Sequence, residues 1–267
     1  MLFLTTLPVW ASAALLVGLT TVLAMLGPVV VRRHVSLSRL STNNEVAGFK
    51  FATVGVLYAV MVAFAMIVVW GKFDEAELAV AQEAGASATI YALARGAGAE
   101  LGPALEAEVN KYINSVVEQD WPMMARAVGT NSRASVQALG GLYATTLAFN
   151  PVTRRDSAIQ NELLRQLDII TAARRVRSVI SAGIMPNVVW WVLFGGAVVT
   201  ICFTFFFGTE NLRAQTMMTG MLAALMFSAL LVIIVIDYPF SGPVRVSPHA
   251  LEQVLDEWSA QARMVPG

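Results

Sequence analysis

The chain reads as an all-α integral membrane protein, with four transmembrane helices and an extramembrane helical domain between the second and third. Three observations predict this class. Of its 267 residues, 57% are hydrophobic and 13% are charged, against about 25% charged in an ordinary soluble domain. Four uncharged runs, 9–31, 51–70, 188–208 and 217–236, reach the roughly 20 residues that a bilayer core demands. Nowhere does apolar and polar character alternate with a sustained period of two, so strands are not expected.

The first run has no basic residue before it and Arg32-Arg33 directly after it. It therefore reads as a retained anchor and not as a cleaved leader. Pro28 falls in its last turns and is expected to kink it. The second run has no charge between Phe51 and Trp70 and carries Gly55, Ala59 and Ala63 at four-residue spacing. Small residues so placed admit a neighbouring helix at close range. After Trp70 the sequence turns acidic without a breaker, so this helix is expected to continue past its apolar stretch. Gly220, Ala224 and Ser228 repeat the small-residue spacing in the fourth run. Interface aromatics such as Trp10, Phe49, Trp190, Trp191 and Tyr238 support the limits of the spans. The partition is thus a hairpin over 1–70, a helical domain over 71–187, a second hairpin over 188–236 and a tail over 237–267.

Orientation is read from basic residues in short loops. The first loop holds Arg32, Arg33, Arg39 and Lys50 against Glu45, and the loop between the third and fourth spans holds Arg213 against Glu210. Both loops then face the cytoplasm, and the termini and middle domain face outward.

Within the middle domain, Pro103 marks an expected helix start and Pro122 an interruption. Ser132–Phe149 makes a shorter helix. Ile159, Leu163, Leu167, Ile170, Ala173, Val176 and Ile180 form an amphipathic stripe. Charge is split: nine acids against three bases over 71–121, net −6, and eight bases against three acids over 122–187, net +5. Attraction between the halves of one chain is one reading of this split. The other is a ring in which the acidic half of one subunit meets the basic half of the next. The tail opens with Asp237, Tyr238, Pro239, Phe240, Ser241, Gly242 and Pro243, a stiff turn at the membrane surface. Ser247-Pro248 then cap a last helix over 249–263.

Composition and motifs narrow the function. A net charge of zero gives nucleic acid no electrostatic purchase. One cysteine, Cys202, and two distant histidines give no expected metal site, and no cofactor is expected. Phosphate-binding loops, nucleophile elbows and zincin motifs are absent, so an enzyme is not expected. No Asp, Glu, Lys, Arg or His lies inside a span, which argues against pumps and ion-coupled transporters and leaves passive permeation. With Gly55, Ala59 and Ala63 packed, Tyr58, Val62, Ala65 and Val69 form the candidate pore wall, with an interior or lipid-facing stripe as the alternative. Asn43, Asn44, Arg174 and Arg177 are candidates for the pore entrance. A capping role for the asparagines and a solvated basic face are the competing readings.

Several segments together carry a family resemblance. They are Asn44-Glu45-Val46-Ala47-Gly48, the run Val54–Val60, Glu83-Ala84, Asp120-Trp121-Pro122, the Arg174–Arg177 helix and the turn Asp237–Pro243. They resemble the bacterial bestrophin-like domain membrane proteins over roughly 43–255. That name implies a distant similarity to bestrophins, which are pentameric anion channels with four spans per subunit. In those proteins the second span lines an apolar neck and a large helical domain follows it. The resemblance implies a homo-oligomer, a pentamer by analogy, in a bacterial plasma membrane, with small anions such as chloride as permeant partners. The aromatic neck and the calcium-binding acidic cluster of animal bestrophins have no counterpart here. A non-conducting structural or sensory assembly, whose helical domain binds a partner, is the alternative.

Overall fold

The structure is a computed structural model that describes residues 7–42, 44–127, 129 and 131–264, the side chains of 99, 100 and 261–264 aside. Helices account for nearly all of it, and no strand occurs among the described residues. Four helices are long and apolar enough to cross a membrane: α1 (Val9–His34), α3 (Asn44–Gly96), α8 (Asn187–Thr204) and α9 (Leu212–Ile236). The chain divides into two compact units, one of Met1–Gly71 with Ile184–Asp237 and one of Lys72–Gly183 with Tyr238–Gly267.

In the first unit α1 contains a π-helical turn over Ala14–Gly18 and continues through Pro28 to His34. Pro28, where a kink is expected, lies inside the helix and is buried; it lacks only its own N–H donor. A short helix α2 (Leu37–Ser41) follows. The predicted third span ends earlier than its apolar run, at Thr204, because Phe205 and Phe206 turn back toward Cys202 and Phe203. The fourth starts earlier, at Leu212, where the Asn211 side chain accepts from the Ala214 N–H. Gly220 fixes the contact of α9 with α1, since a Cβ there would lie 2.8 Å from Met25 Cγ.

In the second unit α4 (Gly98–Ser115) begins before Pro103, which sits inside it, so the expected start at that proline is corrected by five residues. Nor does Pro122 break the chain's helical path. A π-helical turn over Val116–Asp120 precedes it and leads directly into α5 (Trp121–Ala125). An extra residue per turn is how a helix accommodates such a site. α6 (Arg133–Ala148) is capped by Ser132, whose hydroxyl accepts from the Ser135 N–H at 3.1 Å. α7 (Arg154–Ser181) opens on a capping box between Thr153 and Asp156. Leu163, Leu167, Ile170, Ala173 and Ile180 are buried along its predicted stripe, with Ile159 and Val176 half-buried. The tail helix α10 (His249–Met264) buries Leu251, Val254 and Trp258, and the Trp258 ring stacks on Tyr91 at 4.1 Å.

Candidate functional site

The long helix α3 runs 53 residues without a break, about 80 Å at 1.5 Å per residue. In the first unit its faces are distinct. Tyr58 and Ala65 are each 5% exposed, Val69 is fully buried and Val62 half-buried. The candidate pore wall thus points into its own protomer. Tyr58 shows why: its ring lies so close to α8 that a Cβ on Gly196 would come within 2.6 Å of it. Leu57, Val60, Phe64 and Ile67 are exposed on another side of the helix.

The small residues take a third side. Gly55, Ala59 and Ala63 border an apolar groove of about 540 Å³ that also meets Thr200 of α8 and Leu225 of α9. A Cβ on Gly55 would touch nothing within 4 Å, so this face has no close helix partner inside the protomer. In α9, Gly220 is buried against α1, Ala224 is half-buried and Ser228 is exposed.

Asn44 is held by a polar clamp. Its amide donates to the Gly208 carbonyl at 2.7 Å and its Oδ1 accepts from the Gly208 N–H at 3.0 Å. Arg32 donates to the Thr209 carbonyl at 2.6 Å. These bonds bring the two basic loops to one end of the unit. Gly208 is required there, because a Cβ would lie 2.5 Å from the Ser41 nitrogen. Asn43 lies outside the described residues. Asp237, at the end of α9, accepts from the Met185 and Ile184 N–H groups at 2.8 and 3.2 Å. Burial pushes its carboxyl above the usual range, against the opposing pull of those donors.

The second unit contains a cluster that the sequence did not reveal. Arg177 is fully buried. Its Nε donates to Glu83 Oε2 at 2.9 Å and its Nη2 to Glu83 Oε1 at 3.1 Å, a bidentate pair. Nη2 also reaches Asp120 Oδ2 at 3.5 Å. Tyr112 donates to Glu83 Oε1 at 2.6 Å, and Asp120 Oδ1 accepts from the Ser132 N–H and the Ser135 hydroxyl at 2.7 and 2.9 Å. The guanidinium lies 5.3 Å from the centre of the Trp121 ring, which meets Phe240 edge-on. Burial, reinforced by Glu83, pushes the Tyr112 hydroxyl well above its ordinary pKa. Burial opposes the Arg177 charge, but the Glu83 carboxylate outweighs it and the pKa rises.

This arrangement ties α3, the π-turn and α7 together in a space closed to solvent. It fastens helices and offers no route to a substrate. Arg177 is therefore not available at an entrance, and Arg174 is partly buried with its Nε lacking a hydrogen-bond partner. The tail turn is built as its residues imply. Phe240 is 1% exposed, Gly242 adopts a positive φ of 81°, and the Val246 N–H donates to the Pro239 carbonyl at 2.7 Å, while Pro243 is exposed. No His, Cys, Asp and Glu grouping suited to a metal ion occurs among the described residues.

Comparison with known proteins returned one informative match. The family model described as the Bestrophin-like domain covers residues 18–251. No curated protein and no solved structure matches the chain.

Proposed function

Because the chain belongs to the Bestrophin-like domain family, we propose that it is a membrane channel that passes small anions such as chloride passively. Several copies assemble in a bacterial plasma membrane, with α3 of each along the pore. The second unit lies outside the membrane, on the outward side by the basic-loop argument. The family match carries the reading. Two features of the chain support it. The four uncharged runs hold no Asp, Glu, Lys, Arg or His for a relay or coupling site. Leu57, Val60, Phe64 and Ile67 leave an apolar face of α3 open, suited to a constriction that gates by dewetting.

The fate of the entrance candidates favours a second reading, a non-conducting structural or sensory assembly. Arg177 and Asn44 are committed to internal bonds and cannot attract anions from solution. Current through a planar bilayer under a chloride gradient decides between the two. A reversal potential at the chloride equilibrium value, altered by Val60→Asp and insensitive to the conservative Val62→Ala, establishes the channel and its open face. Silence from an intact oligomer establishes the second reading.

A further inference from the structure

We infer that the loop end of the first unit holds the headgroup of an acidic phospholipid, its phosphate on Arg32, Arg33 and Arg213 and its acyl chains along the outward seam of α1 and α9. The inference stands whether or not the chain conducts, because it concerns only the membrane-facing surface of the first unit.

The close contact of Gly220 with Met25 sets the register of the two helices. From that contact, seven residues forward along α1 lead to Arg32, and seven back along α9 lead to Arg213. Seven residues are about two turns and about 10 Å. Both arginines therefore lie on the facing sides of their helices, level with each other. Arg32 donates to the carbonyl of Thr209, four residues before Arg213, so the helices run in opposite directions and their ends meet here. In an antiparallel pair, one residue forward on either helix turns about 100° toward the same side of the pair. Arg33 follows Arg32, Leu26 follows Met25 and Met221 follows Gly220, so all three share that side. All three are exposed, and so is Met217, one turn from Arg213.

This surface has the polarity of a lipid. Three guanidinium groups stand at its loop end, and Leu26, Met217 and Met221 make an exposed apolar strip that runs from them along the spans. None of the three arginines has an ion-pair partner among the described residues, and the exposed Glu210, three residues before Arg213, makes no ion pair with it. Like charges gathered without an acid repel one another until an anion joins them. The planar guanidinium fork suits phosphate oxygens. A free anion would satisfy the charge and leave the apolar strip unused. A lipid phosphate with its chains satisfies both, and the bilayer presents that headgroup at the ends of the spans.

The test is native mass spectrometry of the purified full chain in neutral detergent, titrated with phosphatidylglycerol, phosphatidylcholine or inorganic phosphate. Phosphatidylglycerol is expected to stay bound and phosphatidylcholine to leave. Arg33→Gln with Arg213→Gln should weaken phosphatidylglycerol binding about 30-fold, the product of roughly fivefold per basic contact. Arg33→Lys with Arg213→Lys retains the charge and should bind within about fivefold of the wild type. Lys50→Gln removes a cation from α3, which the Asn44 bond to Gly208 brings to the same end, and should leave binding unchanged. Unchanged melting curves show that the variants are folded. Equal retention of the two lipids reduces the surface to a hydrocarbon contact and overturns the inference. An equal loss from Lys50→Gln makes the attraction a diffuse field and overturns it as well. So does displacement of the lipid by inorganic phosphate at matched concentration, which makes the arginines a site for the free ion.

Discussion

Arg177→Met is the sharpest test of how the second unit is held together. Methionine is close in volume and apolar, so packing against Trp121 is largely kept while the charge goes. Glu83 Oε2 then loses its partner, because its bond from Arg177 Nε is replaced by nothing, whereas Oε1 keeps the Tyr112 hydroxyl. Asp120 loses less, retaining the Ser132 N–H and the Ser135 hydroxyl. The cost is therefore concentrated on one uncompensated buried carboxylate, about 3–5 kcal/mol. Glu83→Gln alone should cost about 1–3 kcal/mol through weakened bonds to Arg177. Combined, the two should cost at least about 1 kcal/mol less than their sum, since the neutral amide no longer suffers from the missing guanidinium. Denaturant unfolding of the purified full chain in detergent, followed by tryptophan fluorescence, measures all three. A loss below about 1 kcal/mol for Arg177→Met, or strict additivity in the double variant, refutes the reasoning.

Three further outcomes are expected. Gly208→Ala should lower thermal stability in detergent by about 1–3 kcal/mol, since its Cβ collides with the backbone at Ser41; an unchanged melting curve contradicts the clamp geometry. Ser132→Ala removes the cap of α6, the bond its hydroxyl accepts from the Ser135 N–H, costing about 0.5–2 kcal/mol by denaturant titration, while leaving the Ser132 N–H bond to Asp120 in place. Burial raises the folded-state pKa of Asp237 above its ordinary value of 3.8. Its ionisation therefore weakens the fold, and its contribution should increase as pH falls through the folded pKa toward 3.8, then level off. Stability of the wild type relative to Asp237→Asn should rise over that window, and a flat difference excludes the effect.

The spans were legible because uncharged runs have few other uses, and the stripe Leu163–Ile180 because its period matches a helix. The orientation of α3 was not. A second span read alone offers no way to tell which face meets its own protomer and which meets another. Yet a clue lay further along. The spacing of Tyr58, Val62, Ala65 and Val69 continues through Ala76, Val80, Glu83, Ser87, Ile90 and Ala94, all buried beyond Val69. A stripe that extends into the alanine-rich stretch is a packing seam for the whole helix. Glu83 stood in that seam and Arg177 stood in the apolar stripe of α7, two opposite charges at core positions of two amphipathic helices. Read as separate charges they looked unremarkable, because 94 residues separate them. Only the packing of α7 on α3 makes them one group.

That separation sets a timetable for synthesis. Ribosomes add roughly 5–20 residues per second, so Glu83 waits about 5–20 s for Arg177 to be made. Phe240, which closes on Trp121, comes later still, after the last two spans. Until Arg177 is made, the nascent second unit carries two carboxylates, Glu83 and Asp120, without the cation they are buried against. The unit completes its core only after the chain has finished its final membrane hairpin, and quality-control proteases have that interval in which to act on any copy whose α7 fails to dock.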